Sequence, residues 1–155
     1  MRLIPVLAIA MLTLPCYSQT QSAAQVFPGT DVTSQISALV PAAKATGSSG
    51  ATLGDYKTHA IKLSVRTASG GAEVHAHYDD IFFVTRGKAT LVTGGTVLNA
   101  KTGNDGETKG SGIQDGKSQP IVKGDIVHIP AGTPHQLLLA PGEVFGAIVI
   151  KVREG

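Results

Sequence analysis

Apolar residues recur along this chain with changing periods, and each period predicts a different element. Leu3 to Leu14, "LIPVLAIAMLTL", is an unbroken apolar run behind Arg2. It is too short to span a bilayer and has the length of a secretory signal's hydrophobic region. From Thr30, the residues Val32, Ile36, Leu39 and Val40 fall at helical spacing, with Thr30 as N-cap and Pro41 expected to end or bend the helix. "GSSG", residues 47–50, reads as a flexible turn.

The period then drops to two. In "HAIKLSVRT", Ile61, Leu63 and Val65 alternate with Lys62, Ser64 and Arg66, which predicts a half-buried strand. After the Gly70-Gly71 turn, Val74 to His77 is expected to form the next strand, followed by "DIFFVTRG" and "KATLVTGG". Strands alternating with glycine turns at short intervals predict an all-β sandwich or barrel. Thr96 to Lys123 is polar and glycine-rich and reads as a long loop, with room for a small hairpin. Order is expected to return with "GDIVHIP", "HQLLLAPG" and "VFGAIVIKV".

Composition supports a β-rich domain: 19 glycines, no tryptophan and only 15% charged residues. At 155 residues there is room for one core. A formal charge of +2 without a basic cluster gives no footprint for nucleic acid. Signal cleavage is expected after Ser18, with Ala24 as the second choice. Pro15 argues against lipidation of Cys16. Cleavage removes that sole cysteine, so the exported chain carries no thiol for catalysis or metal binding. The expected organisation is a signal peptide over 1–18, an arm and helix over 19–50 and a β-barrel over 51–155. The location is periplasmic or secreted, with no membrane association after cleavage.

Candidate chemistry centres on "VHAHYDD", Val74 to Asp80. On a strand, His75 and His77 share a face, and two imidazoles there can reach one Fe, Mn, Zn, Ni or Cu ion. The stretch "GGAEVHAHYDDIFFVTRG" resembles the first motif of the cupin family: Gly, five residues, His-x-His, three or four residues, Glu, six residues, Gly. His75 and His77 match the histidines. Asp80 takes the acidic position, with six residues between it and Gly87, but only two residues separate it from His77. "GDIVHIPAGTPHQLLL" resembles the second motif through Gly124, Pro130, Gly132 and His135, with Leu139 where the family has Asn.

The resemblance implies a single-domain jelly-roll barrel holding one divalent transition metal through His75, His77, His135 and Asp80. The short spacing leaves Asp80 either a ligand or an orienting partner. His59, Tyr78, Phe82, Arg86 and His128 are candidate contacts to a small-molecule substrate. Phe82 and Val84 share the parity of Asp80. Ile81 and Phe83 then face outward, where a second subunit of a homodimer would cover them. The expected function is an exported metal-dependent enzyme with dioxygenase, isomerase or lyase chemistry. The alternative is a non-catalytic module for a small molecule or sugar.

Overall fold

The computed structural model describes residues 23–154. The predicted signal segment and the first-choice cleavage point lie outside the described residues. Helix α1 covers Gly29–Thr46. The strands are β1 Ser48–Asp55, β2 His59–Arg66, β3 Ala72–His75, β4 Tyr78–Arg86, β5 Lys88–Thr93, β6 Thr96–Leu98, β7 Lys101–Thr102, β8 Glu107–Gly110, β9 Gly112–Gln114, β10 Lys117–Val122, β11 Ile126–Ile129, β12 His135–Leu138 and β13 Phe145–Arg153. A five-stranded sheet runs β1-β2-β13-β4-β11 and a six-stranded sheet runs β10-β5-β12-β3-β8-β7. The predicted all-β barrel with an N-terminal helix is the architecture found.

Two cores share the five-stranded sheet. Phe82, Val84, Leu91, Ile129, Leu137 and Phe145 are among the residues filling the space between the sheets. On the sheet's outer face, Leu63 and Val65 of β2 pack under Val32, Ile36 and Ala43 of α1. The helix therefore takes the apolar face of β2, and Lys62, Ser64 and Arg66 are turned inward toward a pocket. Period two in β2 is present as predicted, but its apolar side belongs to the helix rather than to the barrel interior.

Several local expectations are corrected. Thr30 lies inside the helix; Pro28 holds the N-cap position, and its carbonyl accepts from the N–H groups of Asp31 and Val32, each at 3.0 Å. Proline at the cap leaves no side-chain acceptor there, and the carbonyl closes the first turn instead. Of the two outcomes expected at Pro41, an end to the helix does not occur, because it continues to Thr46. Pro41 cannot donate to the Ser37 carbonyl, but the burial of Ala43 beyond it holds the last turn to the sheet. Gly47, in the left-handed region at φ 89°, then ends the helix by donating to Ala43 O at 2.7 Å. "GSSG" is not a free turn, because β1 begins at Ser48 and pairs with β2 as far as Arg66. The expected long loop is mostly paired backbone: β6 pairs with β9, β7 and β8 extend the six-stranded sheet, and β10 pairs with β5. Its polar, glycine-rich composition hid strands whose hydrogen bonds are made mainly by backbone.

Candidate metal centre

The strand expected over Val74 to His77 stops at His75. The chain turns over Ala76 and His77 to pass from the six-stranded sheet into β4 of the five-stranded sheet. Backbone contacts pin this corner: Ala76 N–H donates to Gly106 O at 3.2 Å, and Gly132 N–H donates to His75 O at 2.8 Å. The premise that His75 and His77 share a strand face therefore fails. His77 is exposed, with its ring edge, Cδ2 and Nε2, against the position a Cβ of Gly106 would occupy.

Within β3, the residues that do share a face with the correct parity are Glu73 and His75. Their partner is His135 at the start of β12, which is paired directly with Glu73. One donor atom from each of Glu73, His75 and His135 lies within 4.8 Å of the others. His75 and His135 are buried, with ring centroids 5.0 Å apart. Asp80, also buried, enters from β4 on the opposite sheet, its Oδ2 3.3 Å from His75 Nε2 and 4.0 Å from His135 Nε2. Glu73 Oε2 stands 3.9 Å from the same His75 nitrogen.

This cluster explains the spacing problem in the sequence. From the first ligand onward, Glu73-x-His75, four residues, Asp80, six residues, Gly87 has the spacing of the first cupin motif, with glutamate in the place of the first histidine and Thr67 where the leading glycine would stand. The intervening four residues supply the corner that "His77, two residues, Asp80" is too short to make. Glu73 was legible in that alternative register, although the paired histidines draw attention from it.

Hydrogen bonds set the orientation of both imidazoles. His135 Nδ1 donates to Thr133 O at 3.0 Å, which leaves Nε2 as a lone-pair donor facing Asp80. His75 Nδ1 contacts a Glu107 carboxylate oxygen from β8, and its Nε2 faces Asp80 and Glu73. A carboxylate behind a ligating histidine fixes its tautomer and raises its basicity. Lys151 of β13, directly opposite Asp80 in the sheet register, donates to Asp80 Oδ1 at 2.7 Å. Oδ2 is thereby left to face the histidines. Neither Glu107 nor Lys151 was among the sequence candidates. Glu107 lies in the segment read as a loop, whereas Lys151 is marked only by alternation within the last strand.

The electrostatics follow from these contacts. Burial is the largest influence on Asp80 and works to raise its pKa. The hydrogen bonds and charges of His75 and Lys151 outweigh it, so Asp80 lies below the ordinary carboxylate range. Burial likewise pulls His75 down, but Asp80 and Glu107 outweigh burial and hold it above an ordinary histidine. His135 is lowered, chiefly by burial. His75 Nε2 thus faces two carboxylates, a balance that either a proton or a cation placed among the donors satisfies.

The donor set fits a divalent ion. Donors held about 2.1 Å from one ion sit about 3.0–3.4 Å apart; Asp80 Oδ2 and His75 Nε2 already stand at that spacing, at 3.3 Å, while the Glu73, His75 and His135 donors, within 4.8 Å of one another, need to close by up to about 1.4 Å. Two imidazoles with one or two carboxylates form a harder set than the three histidines expected from sequence, and suit Fe, Mn or Zn. The centre opens on a pocket of about 330 Å³.

The remaining sequence candidates are dispersed. Phe82 is buried and lines this pocket. Tyr78 lines an adjoining cavity, with Lys151 Nζ 5.6 Å from its ring centroid. His59, at the start of β2, stacks on Tyr56 at 4.8 Å and lines neither cavity. Arg86 is exposed at the far end of β4 and also lines neither. His128 is on the outer face of β11, donating from Nε2 to Asp79 Oδ2 at 3.0 Å. The alternation that buries Ile129 turns His128 outward.

No family model matches the chain, and no curated protein matches it in sequence. Solved structures do resemble it. DMSP lyase DddQ from Ruegeria pomeroyi DSS-3 aligns with a TM-score of 0.52 and 17% identity over 71% of this chain and 49% of DddQ. This chain therefore spans about half of DddQ's length. The cupin domain of Schizosaccharomyces pombe Cnp3 aligns at 0.52 and 12% identity, covering 70% and 66% of the two chains. The polyketide cyclase RemF from Streptomyces resistomycificus aligns at 0.51 and 17% identity, covering 70% and 67%. The fold is the cupin barrel.

Proposed function

We propose that this cupin barrel is a metal-dependent enzyme acting on a small organic molecule. The observation that carries the reading is the meeting of Glu73, His75 and His135, with Asp80 beside them, at a pocket between the two sheets. Two structurally similar proteins are described as a lyase and a cyclase, which supports enzymatic use of such a barrel. A divalent ion in this site would supply Lewis-acid polarisation of a substrate oxygen or, as iron, oxygen chemistry.

The chain's own residues have separable roles. Glu73, His75 and His135 would hold the ion. Asp80 would join them through Oδ2 while Lys151 fixes Oδ1. Glu107 and the Thr133 carbonyl orient the two rings. Phe82 and its apolar neighbours exclude water from one wall of the pocket.

The test is metal content followed by turnover. Elemental analysis of purified protein is expected to show close to one transition metal per chain, and His75→Ala with His135→Ala is expected to remove it. Retention of metal by the double variant would refute the ligand assignment. Electron paramagnetic resonance then separates iron or manganese from zinc. Panels of catechols, diketones and sugars, run with and without O₂, test catalysis. Tight binding without turnover would identify a binding module instead. We also propose export, supported by Arg2 and the apolar run from Leu3 to Leu14. N-terminal sequencing of protein from the producing cell's exterior or periplasm is expected to begin after Ser18.

A further inference from the structure

The polar wall of the pocket carries more positive charge than its metal centre requires. Lys62 and Arg66 reach it from β2, Lys109 from β8 and Lys151 from β13. Lys151 is committed to Asp80. Among the described residues, no carboxylate lies within ion-pair distance of Lys62, Arg66 or Lys109. This holds even for Lys109, which is paired in register with Glu73.

The placement follows from the fold. Helix α1 takes the apolar face of β2, so the inner face of that strand contributes Lys62, Ser64 and Arg66 to a barrel whose other inner strands are largely apolar. Arg66 is partly buried and lines the pocket, and its guanidinium lies against Gly70, next to Gly71 of the lining. Four cations face three carboxylates in this lining, Glu73, Asp80 and Glu107, which leaves one net positive charge with neutral histidines. A divalent ion would raise that to three. Concave walls of one sign concentrate the opposite charge and raise its encounter rate.

We propose that the pocket selects a small organic anion, a carboxylate whose charged end is held by Arg66, Lys62 and Lys109 while its carbon skeleton lies along Phe82, Phe145 and Val149. This rests on the metal-dependent reading for the other end of the ligand, but the anion grip is made by separate residues. Arg66 offers a planar fork suited to a carboxylate, and the two lysines add mobile charge. The pocket volume of about 330 Å³ is at the lower end for organic ligands and favours a compact molecule.

The experiment is calorimetric titration of metal-loaded protein with citrate, malate and benzoate, each beside its methyl ester. At least one anion is expected to bind with a submillimolar Kd, and its ester at least tenfold more weakly. Arg66→Gln with Lys62→Gln, and separately Lys109→Gln, are expected to weaken the anion at least tenfold for the pair and several-fold for the single variant. Metal per chain should be unchanged in both. Esters binding as tightly as acids, the variants binding within twofold of the parent, or no anion binding would each overturn the proposal. The two readings fail differently. Charge-selective binding that depends on Arg66 and Lys62 in a protein that takes up no metal sinks the metal reading alone. A protein that holds its metal but ignores ligand charge sinks only this one.

Discussion

Exchanging His77 for Glu73 in the donor set replaces a nitrogen by an oxygen, and the two versions make opposite predictions. Glu73→Ala is expected to weaken metal binding by at least tenfold, whereas His77→Ala should leave both affinity and stoichiometry unchanged, as read by competition with a chromophoric chelator. The reverse order would restore the paired-histidine site. The resemblance was visible in the sequence because Gly124, Pro130, Gly132 and His135 hold the spacing of the second motif and Asp80 keeps its six-residue separation from Gly87. Which residue fills the first ligand position was not, since that depends on where β3 ends, and the end is set by backbone bonds from Gly106 and Gly132. The neighbouring Asp79 belongs to a different network. It accepts from His128 and from Ala131 N–H at 2.8 Å, and these bonds, His128 first, hold its pKa below the ordinary value of 3.8. A lowered carboxylate stabilises the fold above its unfolded pKa and loses that contribution as pH falls through the folded value. Asp79→Asn should therefore lower the thermal midpoint at neutral pH, and the difference from wild type should shrink on acidification below about pH 4. A gap that persists at low pH would mean that the side chain acts by shape alone.

At the level of elements, strand type was easier to infer than strand allegiance. Ile61, Leu63 and Val65 alternate as any barrel strand does, but alternation does not say which layer covers the apolar side. Here α1 covers it, so Leu63→Ala is expected to cost about 2–5 kcal/mol in chemical denaturation. Lys62→Ala, one residue away, should cost under about 0.5 kcal/mol. Equal costs would contradict the division of β2 into a helix-facing and a pocket-facing side. The polar segment that follows β5 was harder still. Its short strands carry few apolar residues, yet β8 brings Glu107 to His75, so the segment is part of the site. Gly106, just before β8, adopts φ 78°, and an added Cβ would meet Ala76 at 2.9 Å and His77 at 3.0 Å. Gly106→Ala is expected to destabilise the protein by about 1–3 kcal/mol through left-handed strain and crowding at the corner. Because Glu107 is displaced with it, metal affinity should fall as well. Preserved affinity in a folded variant would show that Glu107 does not orient His75.

Over the whole molecule, the candidate donors join the two sheets. Glu73, His75 and His135 come from the six-stranded sheet, and Asp80 comes from the five-stranded sheet, where Lys151 of β13 supports it. An ion bound by this set would hold β3, β12 and β4 together across the barrel mouth, and would bind the folded chain in preference to the unfolded one. Binding linkage then gives about 2.7 kcal/mol of added stability at free metal one hundred times its Kd. For a domain of this size, that increment corresponds to a rise of about 5–10 °C in the unfolding midpoint. Calorimetric scans of metal-loaded protein and of protein stripped by chelator are expected to differ by this amount, with the difference growing with free metal. The His75→Ala, His135→Ala protein should start from a lower midpoint and show no response to metal. If it shifts as the parent does, the stabilising ion sits elsewhere on the chain, and the bridge between the sheets is made by protein contacts alone.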